Sequence, residues 1–266
     1  MPLTFIPSSR AGALAVAAGL AALLSGCGGG EPPADGLKQY VGYYQEDAAN
    51  NPEDPMPGTL IVNLPADTGA FEGLMPFSYI GCGGGADVGA VGGTRSASAL
   101  SGSWSGSVDG VAVGGGYTGT YGGLTDQFSG SYTNAGGKVP ISGPDDCHYS
   151  VAALGTWTLY GSTVSLPANF SLASTPGLAP TWSWPSLGGT VYYIVRVFDQ
   201  ACLAKTASNA ACMMGEGQTL LTHIDYPAEF PQAKPLVAGG SYLLAVHAVD
   251  AANWHQVGFT TRVFKP

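Results

Sequence analysis

Four histidines, His148, His223, His247 and His255, are the imidazoles this chain offers as a general base or a metal ligand. No two of them stand four apart, as a helical ligand pair would, and a protein metal site needs at least three convergent groups. His247 lies between the apolar Val246 and Ala248 on a strand-like run, so alternation turns it to solvent, and His223 beside Ile224 reads the same way. Asp145-Asp146-Cys147-His148 is the densest polar cluster. It reads either as the edge of a metal site or as a solvated turn beside a thiol used in a disulfide, and the turn is the simpler reading. Glu46-Asp47 and Glu53-Asp54 flank Asn50-Asn51-Pro52, an oxygen-rich loop without the alternating ligands of an EF-hand. Gly114-Gly115-Gly116-Tyr117-Thr118-Gly119 fits G-x-G-x-x-G, but Thr120-Tyr121-Gly122-Gly123 follows it where a dinucleotide site needs a helix. A hairpin turn is expected there. No G-x-S-x-G elbow, H-E-x-x-H pair or P-loop occurs. These residues predict no catalytic set, no metal and no cofactor.

Composition explains why so few reactive groups are available. Charged residues make up 10% of the 266, Gly reaches 41, and there are 13 Tyr, 9 Phe and 5 Trp. Low charge with many aromatics describes a folded, β-rich chain and not a disordered one. No long amphipathic helix pattern appears after Cys27. The net charge of −9 argues against nucleic acid and against electrostatic binding to anionic lipid.

The first 27 residues have their own logic. One cation, Arg10, precedes an apolar run from Ala11 to Leu24 that is too short to span a bilayer as a helix. It reads as the core of a signal peptide. Leu24-Ser25-Gly26-Cys27 resembles a bacterial lipobox. The resemblance implies cleavage after Gly26, removal of residues 1–26, and a triacylated Cys27 that holds the mature chain in the membrane, since two or more acyl chains anchor stably. In Gram-negative lipoproteins an Asp after the Cys favours inner-membrane retention. Here it is Gly28, so the resemblance implies a lipid-anchored protein of the outer membrane, on its periplasmic or outer face. Residues 27–36, rich in Gly, Pro and acid, form a flexible tether. About 240 residues then remain, room for two domains.

With Cys27 taken by lipid, Cys82, Cys147, Cys202 and Cys212 make an even number, as befits an oxidising compartment. Three pairings are open. Cys82–Cys147 and Cys202–Cys212 are preferred because each pair lies inside one proposed domain.

Residues 37–160 read as a glycine-broken series of short strands. Gly58–Leu64 and Phe77–Ile80 are strand runs. Trp104-Ser-Gly-Ser, Tyr117-Thr-Gly-Thr and Phe128-Ser-Gly-Ser repeat an aromatic-hydroxyl-glycine-hydroxyl pattern. Alternation puts the aromatics on one face and the hydroxyls on the other. Turn chemistry falls at Val108-Asp109-Gly110, Tyr121-Gly122-Gly123 and Asn134-Ala135-Gly136-Gly137. The expected result is an antiparallel meander curled into a small barrel or barrel-like sandwich, filled by its own side chains. Its composition is similar to that of barrel-bearing surface lipoproteins.

Residues 163–266 resemble a fibronectin type III or related immunoglobulin-like β-sandwich. Leu166–Phe170 resembles the first strand, Thr181-Trp182-Ser183-Trp184-Pro185 the second, and Val191–Phe198 the third, with Tyr193, Val195 and Val197 turned inward. Leu236-Val237-Ala238-Gly239-Gly240-Ser241-Tyr242 matches the family's Leu, Gly turn and Tyr, which implies that Tyr242 is a tyrosine corner. Val257–Phe264 closes the sandwich. The stretch from Gln200 to Gln218 is longer than the family needs and carries Cys202, Cys212, Met213 and Met214. It is read as a disulfide-stiffened loop and a candidate binding element, with both Met residues plugging the core edge.

The fold class expected is therefore all-β. The leading functional reading is a lipid-anchored envelope protein, non-catalytic, that binds or scaffolds another envelope protein or a surface polysaccharide. A carrier of a small apolar or glycan ligand inside the barrel is the second, and an envelope enzyme without a recognisable motif the third. A void of several hundred Å³ within the meander would favour the carrier.

Overall fold

The computed structural model describes residues 36–47, 57–80, 86–108, 111–134, 148–149, 154–161 and 170–266. Lys38–Glu46 (β1), Pro57–Leu64 (β2), Thr68–Ile80 (β3), Ala86–Ser96 (β4), Ala99–Val108 (β5), Val111–Gly122 (β6), Gln127–Tyr132 (β7) and Gly155–Tyr160 (β9) follow one another as an antiparallel meander. Pairing of β9 with β1 closes them into an eight-stranded barrel. The two-residue strand His148–Tyr149 (β8) pairs with the end of β3, Ile80 opposite His148.

Inward positions alternate with outward ones along each strand, as a filled barrel requires. In β5 and β7, Trp104, Phe128 and Tyr132 are buried, while Ser103, Ser105, Ser129 and Ser131 face outward. Large rings need small neighbours opposite them. The glycine run expected to form a hairpin turn instead lies inside β6, where Gly119 faces the interior. A Cβ there would fall 2.3 Å from the Trp157 ring and 2.6 Å from the Ser129 carbonyl oxygen. The turn lies one step further on, at 123–126.

The second unit has a three-stranded sheet and a four-stranded sheet. Ala173–Ser174 (β10), Thr181–Ser183 (β11) and His223–Asp225 (β14) form the first, in the order β10-β11-β14. Val191–Asp199 (β12), Met213–Thr219 (β13), Tyr242–Asp250 (β15) and Gln256–Phe264 (β16) form the second, in the order β13-β12-β15-β16. A helix, Gln200–Lys205 (α1), and a 3₁₀ turn at Ala210–Cys212 join β12 to β13. Between the sheets, Trp182 is fully buried, its ring centroid 5.5 Å from Tyr226, 5.8 Å from Phe230 and 5.3 Å from Phe264. Tyr193, Val195 and Val197 point into this core. The Val237 N–H donates to the Tyr242 hydroxyl at 2.8 Å, pinning the turn before β15.

The stretch expected to be one long loop, 200–218, thus divides. Its second half is β13, which supplies the sheet with a strand, and Met214 enters the sandwich core. Its first half is a helical strut. The strand run expected to start at Leu166 lies outside the described residues except for Phe170, and the first strand seen there is β10.

What joins the two units is a second buried layer. The outer face of the four-stranded sheet packs on the barrel wall, where Phe198, Leu243, Ala245 and Phe259 meet Ile61, Leu74 and Tyr160. Every residue of β2 and nearly every residue of β15 is consequently buried, one face in its own core and the other in the shared one.

Candidate functional site

In the middle of that shared layer lies a polar network whose Thr59, Ser78, Arg196, Glu216 and His247 are buried, with Gln218 and Gln256 half-buried at its margins. Arg196 in β12 and Glu216 in β13 are opposite each other in the sheet and point at the barrel. The Arg196 Nε donates to Glu216 Oε2 at 2.7 Å, Nη1 donates to Thr59 Oγ1 at 2.8 Å, and Nη2 bonds Ser78 Oγ. Ser78 Oγ donates to Glu216 Oε2 at 3.0 Å, and Gln218 Nε2 donates to Glu216 Oε1 at 2.8 Å. The Thr59 hydroxyl, accepting from Arg196, has its own proton for His247 Nε2 at 2.7 Å. His247 Nδ1–H then donates to Gln256 Oε1 at 2.7 Å. Arg196 and His247 are 0% exposed, and Glu216 and Ser78 1%.

The electrostatics follow from burial. Desolvation raises the Glu216 carboxyl above its ordinary value, opposed by the Arg196 charge and by hydrogen bonds from Gln218, Arg196 and Ser78. Desolvation, reinforced by Arg196, pushes the His247 imidazole down to about 3. His247 is therefore neutral and fixed in one tautomer. Hydroxyl, imidazole and amide stand in the order of a nucleophile relay, but Arg196 already occupies the Thr59 oxygen, and Thr59 and His247 are both fully buried. The arrangement can hold two β units in register; it offers no approach to a substrate.

His247 thus departs from the sequence expectation. Alternation turns it away from the sandwich core as expected, but that second face meets the barrel and not solvent. The available signal was a polar residue inside an unbroken apolar run: Thr59 in Thr-Leu-Ile-Val-Asn-Leu, Arg196 in Tyr-Ile-Val-Arg-Val-Phe, and His247 in Leu-Leu-Ala-Val-His-Ala-Val. Arg196, Glu216, Ser78 and Thr59 were not singled out from the sequence at all.

The other sequence-derived residues are distributed as follows. Cys202 and Cys212 are bridged, with Cα atoms 5.3 Å apart. Their segment bears on the barrel: Asn63 Nδ2 donates to the Leu203 carbonyl at 2.7 Å, and Ser208 Oγ donates to Glu72 Oε2 at 2.7 Å. Cys27, Gly26, Cys82, Cys147, Asp145, Asp146, Glu53 and Asp54 lie outside the described residues. His223 is exposed, as alternation predicts. Among the described residues no three His, Cys, Asp or Glu side chains group as a metal site, and no helix is long and apolar enough to cross a membrane.

The barrel interior leaves a cavity of about 20 Å³, lined by apolar and aromatic side chains. That is room for one water at most, and an apolar lining gives a water too few partners. The polar tips of the rings reach the wall: Tyr44 OH donates to the Pro76 carbonyl at 2.9 Å, and Trp104 Nε1 to the Thr133 carbonyl at 3.0 Å. One barrel end is closed by Asp126, which accepts from Tyr40 OH at 2.9 Å and Tyr121 OH at 3.1 Å and pairs with Lys38. No family description, curated protein or solved structure matches this chain.

Proposed function

We propose that this chain is a lipid-anchored protein of the outer membrane that acts as a non-catalytic binding scaffold for another envelope protein or a surface polysaccharide, with a fibronectin type III-like module as its second unit. The observation that carries the reading is the polarity of the barrel. The segment after Cys27 enters at Lys38, at the end closed by Asp126, where the connections 65–67, 97–98 and 123–126 are short. At the opposite end β1 stops and β2 starts, as β7 stops and β9 starts, and these strand ends are separated in sequence by residues 47–56 and 133–154. A tether at one end with long connections at the other suits a rigid body that presents loops away from its anchor. The sheet orders β10-β11-β14 and β13-β12-β15-β16, together with the Val237–Tyr242 hydrogen bond, support the fibronectin-like assignment.

Membrane fractionation with metabolic palmitate labelling tests the anchor. Cys27→Ser should abolish labelling and move the protein out of the membrane fraction. Unchanged labelling would overturn the anchored reading.

A further inference from the structure

The tether meets the folded body at Lys38, the first residue of β1, so the face of the molecule where β1 begins is the one held nearest Cys27. The ten residues 27–36 reach about 35 Å at most. Polar contacts carry this face across both units. Lys38 pairs with Asp126 in the turn between β6 and β7. Gln200, at the start of α1, donates from Nε2 to Gln39 Oε1 at 3.1 Å, and its N–H donates to the Ser241 carbonyl at 3.0 Å, in the turn before β15. Phe264 stands opposite Tyr242, which brings Lys265 to the same edge.

The turns that make up the face are 65–67, 97–98, 123–126 and 236–241, and none contains Lys, Arg or Glu. Leu124 is fully exposed at the tip of one, and Val237 is 65% exposed in another. Both turns are held stiffly. The Asp126 carboxylate accepts from the Tyr40 and Tyr121 hydroxyls, and the Val237 N–H donates to the Tyr242 hydroxyl. The five exposed Lys and Arg side chains among the described residues, Lys38, Lys205, Lys234, Arg262 and Lys265, all belong to the half of the molecule that ends in this face. Asp67, Asp126 and Asp199 stand among them, Asp126 tied to Lys38 and Asp199 capping the start of α1. Leu220 and Leu221, exposed beyond the opposite end of β13, have no described Lys or Arg beside them.

One exposed leucine is ordinary. Braced apolar tips on turns poor in charge, with cations set just behind them, are instead the pattern of a protein surface that enters a lipid interface. The net charge of −9 does not decide the matter, because β1, nine residues long, sets its far end on the order of 25 Å back, beyond a screening length of about 8 Å. We infer that this face docks on an anionic bilayer surface, with Leu124 and Val237 entering the head-group layer and Lys38, Lys205 and Lys265 meeting lipid phosphates. The inference rests on the anchored reading for its bilayer, and the contact is measurable without the anchor.

The test is cosedimentation of the mature chain carrying Cys27→Ser with vesicles of equal parts phosphatidylglycerol and phosphatidylcholine. Partitioning should be half complete at millimolar lipid, weaken with added salt, and be too weak to keep the unlipidated chain in a washed membrane fraction. Leu124→Ser should weaken it about tenfold and Lys205→Gln about fivefold, the worth of one buried leucine and of one cation near the surface. Leu221→Ser should leave it unchanged. All three substituted sites are exposed, so melting temperatures should match that of the parent chain. Absence of partitioning, or equal losses for Leu124→Ser and Leu221→Ser, overturns the docking face. Absence of partitioning together with self-association that Leu124→Ser abolishes would make the face a contact between copies, which overturns it too. Unchanged palmitate labelling of the Cys27→Ser chain in cells would overturn the anchor alone, since the vesicle measurement does not depend on it.

Discussion

Arg196 and Glu216 show how much a single buried pair can hold once its other hydrogen bonds are made. Removing one partner of such a pair leaves an uncompensated charge in low dielectric, a loss of about 3–5 kcal/mol, whereas replacing both with apolar groups is often close to neutral. Glu216→Leu should therefore lower stability by about that amount. Arg196→Met/Glu216→Leu together should be less destabilised than Glu216→Leu alone, although Thr59 and Ser78 lose a partner. Urea midpoints of wild type, Glu216→Leu, Arg196→Met and the double variant decide it, and strict additivity would mean that the two side chains are not coupled. His247 makes the network sensitive to acid in a definite direction. Its folded-state value is depressed from 6.5 to about 3, so below pH 6.5 the unfolded chain takes up a proton that the folded one refuses. Stability is then lost by about 1.4 kcal/mol for each pH unit below 6.5, until pH approaches 3. Glu216, raised by burial, favours the folded state at the acid end and opposes this trend. The difference between wild type and His247→Gln cancels that opposition. Measured by urea denaturation at pH 7, 6 and 5, it should shrink in the wild type's disfavour as pH falls, and a flat difference would show that His247 titrates normally.

At the level of strands, the aromatic-hydroxyl-glycine-hydroxyl repeat was enough to foresee the meander and its two faces. Trp104 and Phe128 point in, and the serines beside them point out. The role of the glycines was not legible, because a turn and a close approach to a ring both ask for a missing Cβ. Gly119 is the second case. Gly119→Ala would drive a methyl into the Trp157 ring and the Ser129 carbonyl, neither of which can retreat from a filled barrel. A loss of about 1–3 kcal/mol is expected, visible as a lower melting temperature with a near-ultraviolet change from tryptophan. The segment Gln200–Cys212 misled for a related reason. A disulfide-bearing insertion reads as an exposed loop, but Leu203 and Cys212 are fully buried against the barrel side, and the bridge stiffens a strut between units.

For the whole molecule, the sequence described two β units and concealed their union. Period-two alternation assumes one wet face, and in β2, β12 and β15 both faces are dry. Ile61, Leu74, Phe198, Leu203, Leu243 and Phe259 are buried in the shared layer. Full burial of each such side chain contributes about 1.5–3 kcal/mol, so crediting the interface with only half leaves on the order of 5–10 kcal/mol. A whole domain is typically stable by about 5–15 kcal/mol. Neither unit can lose that layer and remain securely folded, and separation would also strip Arg196 of Thr59 and Ser78. The barrel and sandwich should therefore unfold together. Scanning calorimetry of the full chain should give one transition, with calorimetric and van't Hoff enthalpies equal, and residues 163–266 expressed alone should be poorly soluble and lack a cooperative melt. Two resolved transitions, one of them reproduced by the isolated sandwich, would show that the shared layer is a contact between independently stable bodies.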